Sequence, residues 1–327
     1  MIASQTYSGQ VPRRGRVEGH GRHAGGPFDL GDGVAYGRWR EQKLAAYPAS
    51  AAELTVEIAR LGAPSAAEKQ AILERCRRAN MAIYACRDGT RADRAALTAF
   101  AAAFGLRRLD HHLCADESGI TDLTTAESGR RRGYVPYSNQ ALSWHTDGYY
   151  NEESQRVRAL ILHCLADAPA GGENALLDHE IAYIRLRDTE PAFIEALMHP
   201  HAMTIPANRE GGTEIRPARA GPIFSVDPAT GALHLRYSAR ARNIVWRDDA
   251  ATRSAVGFLN ELLADPDGPA IPCRLAPGQG IIGNNVLHNR TAFEDDSARR
   301  RHLFRARFFD RIAGTGPMTP SSPEIPC

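Results

Sequence analysis

The pattern of the chain changes at about Tyr134, and this change limits the folds that the sequence can adopt. Before it, alanine-rich amphipathic stretches predict helices. After it, short apolar runs separated by Gly, Pro, Asn and Asp are typical of strands joined by turns. Early helices followed by many short strands favour an α+β fold with a double-stranded β-helix (jelly-roll) core and flanking helices.

Local signals place the individual elements. The predicted helices cover residues 51–61, 65–78, 91–104, 179–186, 191–198 and 248–264, and the second of them opens on a capping-box pattern, Ser65-Ala-Ala-Glu68. The predicted strands cover residues 81–86, 157–165, 175–177, 222–226, 233–237, 271–275, 280–284 and 303–309. The fourth and fifth of these strands are joined by a hairpin-type connection.

The 327 residues are predicted to form one domain over residues 49–313, with helices at its start and helical insertions between strands. Residues 1–48 show no clear periodicity and are predicted to be a flexible leader, part of which could pack on the body. Residues 314–327 are rich in proline and serine and are predicted to be a loose tail.

Composition limits the partners and the location. The net charge of +2 gives no electrostatic argument for a nucleic-acid or membrane partner. None of the six cysteines forms a CxxC pair, which favours a reducing, cytoplasmic location over a disulfide framework or a cysteine zinc site. No apolar run reaches the ~18 residues of a membrane-spanning helix, and the polar first residues lack the apolar segment of a signal peptide.

One eight-residue stretch carries a potential metal site, Ser143-Trp-His-Thr-Asp-Gly-Tyr-Tyr150. In an extended strand, His145 and Asp147 would point to the same face and could direct an imidazole and a carboxylate at one point. That is two-thirds of the 2-His-1-carboxylate triad, which holds Fe(II) and leaves coordination positions open. The His-x-Asp spacing alone is a weak signal. His288, at the end of a predicted buried strand, is the candidate for the third ligand.

A second segment mixes arginines with apolar residues at strand-like spacing, over residues 299–310. One face would carry Arg301, Leu303, Arg305 and Arg307, and the other His302, Phe304, Ala306 and Phe308. Arginines on an interior strand indicate a buried carboxylate partner, because a guanidinium grips a carboxylate through two parallel hydrogen bonds. For Arg299, Arg300 and Arg307 we favour solvated charge. Gly171-Gly172 could shape the wall of the same pocket.

Together these motifs resemble the TauD/TfdA-like (taurine dioxygenase) family of Fe(II)- and 2-oxoglutarate-dependent oxygenases. The stretch from Pro136 to Tyr150 resembles its iron-binding region. Leu162-His-Cys164 and Gly171-Gly-Glu173 are similar to the segments that follow, including those of the gamma-butyrobetaine hydroxylase branch. Leu287-His-Asn-Arg-Thr-Ala-Phe293 resembles the distal histidine motif, and the arginine-rich strand resembles the 2-oxoglutarate clamp. All motifs stand in the expected order.

The resemblance implies roles for particular residues. His145, Asp147 and His288 would be the iron ligands, Arg301 would bind the distal carboxylate of 2-oxoglutarate, and Arg305 is the near alternative. The family often has a threonine where this chain has Asn174, so we expect altered contacts to 2-oxoglutarate at that position. Asp147 disfavours halogenation, because related halogenases replace this carboxylate by a small residue.

The implied reaction consumes O2, converts 2-oxoglutarate to succinate and CO2, and hydroxylates or oxidatively cleaves a small molecule. Tyr137, Asn139, Trp144 and Tyr149 are candidate substrate contacts. The sequence leaves open whether arginines between residues 202 and 242 recognise an anionic group or are surface charge. A homo-oligomer is compatible with the resemblance. Two alternatives remain: a non-catalytic metal- and ligand-binding protein on the same barrel, and a zinc hydrolase, which leaves the arginine strand unexplained.

Overall fold

The computed structural model describes residues 25–87, 92–111, 118–126, 134–240 and 244–317. Its α-helices are α1 Gly33–Ala46, α2 Ala51–Leu54, α3 Ala66–Ala79, α4 Arg94–Ala103, α5 His179–Thr189, α6 Pro191–Leu197 and α7 Ala250–Ala264. Its strands are β1 Thr55–Ile58, β2 Met81–Cys86, β3 Ile120–Leu123, β4 Leu142–His145, β5 Ala159–Ala166, β6 Ala170–Gly171, β7 Asn174–Leu177, β8 Met203–Ile205, β9 Asn208–Glu210, β10 Thr213–Arg216, β11 Arg219–Gly221, β12 Phe224–Val226, β13 Leu233–Leu235, β14 Val245–Trp246, β15 Ile271–Cys273, β16 Gln279–Gly283, β17 Leu287–Arg290, β18 Phe293–Glu294 and β19 His302–Phe308.

Two sheets build the centre of this mixed α+β fold. The larger has the order β1-β2-β16-β5-β19-β3, and the smaller has the order β15-β7-β17-β4. An apolar core lies between them and contains Met81, Ile83, Leu160, Leu162, Ile281 and Leu303 from the larger sheet and Leu176, Ile271 and Cys273 from the smaller. The two sheets therefore face each other, and side chains on their inner faces are closed off from water.

Helices cover the outer face of each sheet. α3 and α4 pack on the larger sheet through an apolar cluster that contains Ile72, Leu97 and Phe100 with Tyr84, Ile161 and Phe308. α5, α6 and α7 form another cluster on the smaller sheet, with Ile184, Leu197 and Leu259 beside Leu177 and Leu287. The outer faces of the two sheets are thus covered by helices, and the inner faces and ends of the sheets are left for polar side chains.

The sequence-based assignment is confirmed at α3 and wrong at the preceding helix. The capping box forms as predicted, since the Glu68 amide donates to the Ser65 hydroxyl at 3.3 Å and the Ser65 amide donates to the Glu68 carboxylate at 2.6 Å. The helix predicted over residues 51–61 instead ends at Leu54, and β1 follows it. Three of the four residues of β1 are β-branched, and the two buried ones, Val56 and Ile58, alternate with less buried residues and enter the core from one face, as strand geometry requires.

Residues 25–48 of the predicted leader pack on the body, the alternative that the sequence left open, so flexibility is wrong for them, while residues 1–24 lie outside the described residues. Phe28 is buried against Trp39 and Tyr183, with ring centroids 5.0 Å and 5.4 Å away. The loose tail predicted from residue 314 is also wrong at its start, since Thr315 is buried and accepts a hydrogen bond from Asn284 at 2.9 Å. Residues 318–327 lie outside the described residues.

A buried ion pair fixes α1 to the rest of the fold. The Lys43 ammonium lies 2.6 Å from a carboxylate oxygen of Asp178 and 2.5 Å from one of Glu180. Burial opposes charge on Lys43 and on Glu180, but the attraction between the opposite charges is stronger. It raises the pKa of Lys43 and lowers that of Glu180. Across the part of the chain described by the structure, no helix is long and apolar enough to cross a membrane.

We expect Lys43→Met to reduce the free energy of unfolding by about 3 kcal/mol at pH 7, because it leaves two buried carboxylates without their cation. In the wild type, the stability from Glu180 is present above the unfolded carboxyl pKa of about 4.3 and is lost as the pH falls through the lower folded pKa. In the variant, burial without Lys43 raises the carboxyl pKa, so the deficit should shrink between pH 7 and pH 4.5. Urea unfolding at both pH values measures this.

Arg40→Met is the matched control on the same helix. Arg40 pairs with Asp188 at 2.7 Å, but both side chains are about one-third exposed, so its loss should change stability by less than about 1 kcal/mol. Equal effects of the two substitutions would show that the buried pair does not hold α1.

Candidate metal centre

Two strands of the smaller sheet bring the predicted ligands together. β17 pairs antiparallel with β4, and in this register His288 lies directly opposite His145, with ring centroids 4.2 Å apart. Asp147 follows β4 by two residues, and one of its carboxylate oxygens lies 3.8 Å from Nε2 of His145. One ligand atom from each of the three residues lies within 4.8 Å of the others, and all three side chains are buried. The structure thus brings His288 next to two residues that precede it by 143 and 141 positions in the chain, His145 and Asp147.

Both histidines are held in the form that a metal needs. Nδ1 of His145 lies 2.9 Å from the Ser143 carbonyl oxygen, and Nδ1 of His288 lies 2.9 Å from the Val286 carbonyl oxygen. A carbonyl oxygen can only accept, so Nδ1 carries the proton and Nε2 keeps its lone pair. Burial, together with the neighbouring His288 ring, lowers the pKa of His145 to about 3. Its imidazole is therefore neutral at neutral pH.

Asp147 supplies a charged ligand with an unsatisfied oxygen. Burial alone would raise the pKa of Asp147, but the guanidinium groups of Arg305 and Arg307 outweigh it and hold that pKa below its usual value. Oδ1 accepts a hydrogen bond from Arg305 at 3.3 Å, whereas the buried Oδ2 has no hydrogen-bond partner in the described structure. A buried oxygen without a partner costs about 1–3 kcal/mol. A divalent cation between Asp147 and the two Nε2 atoms would satisfy it, so these residues fit a metal ion.

The arginine strand lies inside the larger sheet. β19 pairs with β5 on one side and β3 on the other, and Arg301, Arg305 and Arg307 are all buried. The alternate residues Phe304 and Phe308 enter the apolar cluster on the opposite face, which confirms the predicted two-faced pattern. Solvated charge, favoured for Arg307, is wrong, because Arg307 pairs with Asp110 and donates to the Tyr150 hydroxyl at 3.0 Å. Arg299 and Arg300 are exposed, as predicted.

Arg301 lines a recess together with Gly172 and Asn174. No carboxylate of the described residues forms an ion pair with its guanidinium, which lies 5.1 Å from the Phe293 ring centroid. Burial lowers the pKa of Arg301. Asn174 is close by, but its amide nitrogen already donates to the Asn289 carbonyl oxygen at 2.7 Å.

The glycine pair Gly171-Gly172 shapes this recess. Both residues have positive φ, 71° and 79°. A side chain on Gly171 would collide with the carbonyl oxygen of Ala292, and a Cβ on Gly172 would lie 3.4 Å from Nε of Arg301. Only glycine at position 171 lets β6 approach β18 this closely, and the positive φ of Gly172 disfavours a side chain beside the guanidinium.

The predicted substrate contacts lie in different parts of the fold. Tyr137 is buried in the core between the sheets, and Tyr149 packs partly against the outer cluster, two residues beyond Asp147 and with its ring 5.3 Å from that of Tyr150. Asn139 is exposed, and its carbonyl oxygen accepts from the Phe293 amide at 3.0 Å. Trp144 is a correction: it alternates with His145 along β4 and packs in the outer core with Leu287 instead of lining the metal site.

Sequence reasoning missed Arg290, which is buried beside Arg301. Its guanidinium donates to the carbonyl oxygens of Ser138 at 2.8 Å and Gln140 at 2.5 Å, and so it holds the segment that carries Asn139. Burial and the neighbouring Arg301 lower the pKa of Arg290 to about 9. No local pattern could reveal this role, since its partners are backbone atoms about 150 positions away.

A metal ion held by two neutral imidazoles and one carboxylate would keep coordination positions open for other ligands. The buried guanidinium of Arg301, which has no ion-pair partner among the described residues, could bind an anion. This combination, on two facing sheets, defines the class of mononuclear non-haem iron oxygenases that use an anionic co-substrate. A zinc site could use the same three ligands, but it gives no reason for burying Arg301.

Comparison with known proteins agrees with this class. A family model described as "Taurine catabolism dioxygenase TauD, TfdA family" matches residues 51–307. A uridine-5'-phosphate dioxygenase from Streptomyces sp. is 28% identical over 197 residues, which cover 58% of this chain and 69% of that protein. The chain belongs to the TauD/TfdA family. It is an Fe(II)- and 2-oxoglutarate-dependent dioxygenase.

Solved structures share the fold at low identity. An asparagine oxygenase in complex with Fe(II), 2S,3S-3-hydroxyasparagine and succinate has a TM-score of 0.52 at 18% identity, covering 82% of this chain and 89% of the other. The non-heme iron oxygenase OrfP, in complex with Fe, succinate and (3S)-hydroxy-L-Arg, has a TM-score of 0.52 at 17% identity, covering 71% and 75%.

We expect Asp147→Asn to weaken Fe(II) binding by more than about 100-fold, because an amide replaces the only charged ligand. Losing a residue that merely hydrogen-bonds to a metal ligand weakens binding by about 10–100-fold. Anaerobic calorimetric titration of the metal-free protein measures the affinity. Asp122→Asn is the control, since Asp122 pairs with Arg94 and His302 away from the triad. Wild-type affinity in Asp147→Asn would mean that the metal is held elsewhere.

Proposed function

We propose that the protein hydroxylates a small anionic molecule at an Fe(II) ion held by His145, Asp147 and His288. The convergence of these three ligands within 4.8 Å, beside a strand of buried arginines, is the observation that carries the proposal. When bound, the iron supplies the oxidation of 2-oxoglutarate by O2, with release of succinate and CO2, and the oxidation of the substrate. The protein supplies binding, orientation and exclusion of water.

Arg301 is proposed to bind the distal carboxylate of 2-oxoglutarate. Its guanidinium is buried and has no ion-pair partner among the described residues, so a carboxylate in the recess would neutralise it through two parallel hydrogen bonds. Asn174 lines the same recess and has an amide oxygen and a second N–H left for contacts there. Arg299, on the surface just before the strand, cannot serve this purpose because it pairs with Asp167 at 3.2 Å.

Arg305 is proposed to act next to the metal instead. Its guanidinium donates to Asp147, and the structure shows no other hydrogen bond for it among the described residues. A metal ion on Asp147 would take up the negative charge that now faces Arg305. The guanidinium would then be free to meet an anionic group of 2-oxoglutarate or of the substrate.

The balance of buried charge supports an anionic substrate. Four buried guanidiniums surround the site, those of Arg290, Arg301, Arg305 and Arg307, whereas three carboxylates lie near them, those of the buried Asp110 and Asp147 and the half-buried Asp295. The charges of Fe(II) and of dianionic 2-oxoglutarate cancel each other. The loaded site therefore retains an excess of positive charge, which a phosphate or carboxylate on the substrate would offset.

The names of two similar proteins agree with this substrate class, since one is a uridine-5'-phosphate dioxygenase and the other an asparagine oxygenase. Tyr137, Asn139 and Tyr149 remain the proposed substrate contacts. The near-neutral net charge of +2 supports a small molecule over a nucleic-acid or membrane partner.

We further propose that the two facing sheets form the predicted jelly-roll, with residues 49–313 as one domain to which α1 is attached. The buried free thiols of Cys76, Cys164 and Cys273 support a cytoplasmic location. A homo-oligomer remains a prediction.

Succinate release in the presence of Fe(II), O2 and 2-oxoglutarate tests the reaction and the substrate class together. Matched pairs should be compared: uridine 5'-phosphate with uridine, and an amino acid with its amide. In each pair, we expect the member that carries the phosphate or carboxylate to stimulate succinate formation, and the partner that lacks this group to do so at least tenfold less, a difference of about 1.4 kcal/mol. Stimulation only by the partners that lack the anionic group would contradict the charge argument.

Metal-dependent binding of 2-oxoglutarate without any succinate formation would instead favour the non-catalytic alternative. Zinc in protein purified without oxygen, with no response to added Fe(II), would favour a hydrolase.

We expect Arg301→Gln to raise the KM for 2-oxoglutarate by roughly tenfold to a hundredfold, because it removes charge-assisted hydrogen bonds worth about 1.5–3 kcal/mol. Arg299→Gln, the neighbouring exposed arginine, should leave the KM unchanged. Steady-state rates at varied 2-oxoglutarate measure both, and equal KM values for the two variants would remove Arg301 from the co-substrate site.

A further inference from the structure

The turn between β16 and β17 holds the backbone of Asp147 through one buried side chain. Oδ1 of Asn285 accepts from the Asp147 amide at 2.8 Å, and Nδ2 of Asn285 donates to the carbonyl oxygens of Asp147 at 2.9 Å and Val157 at 2.7 Å. Asn285 is 2% exposed, and these bonds use both of its amide protons. The side chain of Asn285 thus binds both backbone polar groups of Asp147, its amide and its carbonyl oxygen.

Asparagine suits this position for two physical reasons. Asn285 has φ of 52°, in the left-handed region that asparagine tolerates better than other residues with a side chain. The bond pattern also requires one acceptor and two donors on a short side chain, which aspartate and leucine cannot provide. Asn285 therefore combines a backbone conformation and a hydrogen-bonding pattern that only the asparagine amide satisfies here.

The same turn also orients the distal histidine. Val286, the next residue, provides the carbonyl oxygen that accepts from Nδ1 of His288. The segment after Asp147 is closely packed as well, since a side chain on Gly148, at φ of 67°, would collide with Val157. Two of the three ligands are thus positioned by consecutive residues of one short turn.

We infer that Asn285 is a positioning residue that holds the Asp147 carboxylate at the metal position against the attraction of Arg305. Arg305 already donates to that carboxylate at 3.3 Å. Without Asn285, the buried amide and carbonyl of Asp147 would lose their partners and the peptide could turn, so the carboxylate would be free to move toward the guanidinium. This inference rests on the proposed metal site and adds a residue to its support.

Asn284 provides a matched control in the same turn. It is also buried and makes three side-chain hydrogen bonds, donating to Asn80 at 3.0 Å and Thr315 at 2.9 Å and accepting from the Ile312 amide at 3.1 Å. None of them reaches Asp147. Loss of this side chain therefore removes a comparable set of buried bonds without touching a metal ligand.

The experiment compares Asn285→Gly with Asn284→Ala in the full-length protein. Glycine keeps the left-handed backbone accessible, so the first variant removes the side chain without steric strain. Three quantities are measured: the thermal midpoint of the metal-free protein, the affinity for Fe(II) by anaerobic calorimetry, and the visible absorption of the Co(II)-loaded protein, which responds to the geometry of the ligands.

We expect both variants to lower the thermal midpoint of the metal-free protein. Only Asn285→Gly should also weaken Fe(II) binding, by about 10–100-fold, and change the Co(II) spectrum. The inference is overturned if Asn285→Gly binds Fe(II) as the wild type does, or if Asn284→Ala weakens binding equally. Absence of Fe(II) binding by the wild type would instead refute the metal site itself. If Asn285→Gly does not fold, Asn285→Asp tests the same point, because it keeps the acceptor for the Asp147 amide and loses both donors.

Discussion

The antiparallel pairing of β17 with β4 is the interaction on which the site depends. It sets His288 opposite His145 and so fixes the distance between two imidazoles that come from distant parts of the chain. The flanking β7 and the apolar core between the sheets hold this pairing in register. A slip by one residue would turn the imidazole of His288 into the outer core and bring Leu287 to the inner face, and the metal position would disappear.

Buried charge sets a second constraint. The inner face of β19 brings several guanidiniums next to a single ligand carboxylate, and in a protein interior such charges are tolerated only when they are paired. Arg307 is paired within the fold by Asp110. Arg305 shares Asp147 with the metal position, and Arg301 has no ion-pair partner among the described residues. The described residues thus contain a metal position formed by His145, Asp147 and His288 and a recess lined by Arg301, which is the position proposed for the keto-acid.

Local patterns predicted elements where the physical cause is itself local. The capping box of α3 and the alternation of β19 depend on residues a few positions apart, and both are confirmed. The predictions were wrong where distant packing decides. Residues 55–58 form β1 because β2 lies beside them, and α1 is held by Lys43 reaching carboxylates more than 130 positions later. Arg307 was interpreted as solvated because its partner, Asp110, is almost 200 positions away.

The sequence by itself determined the chemistry available to this protein: two histidines and an aspartate as ligands, arginines on one face of a strand, and a glycine pair that permits close approach. These features follow from residue type and from the two-residue period of a strand. Only the tertiary structure decided that the ligands converge, that Trp144 lies in the outer core, and that Asn285 grips the backbone of Asp147. Strand register and backbone contacts between distant segments are set by packing over the whole fold, so they cannot be predicted from residues that are neighbours in the chain.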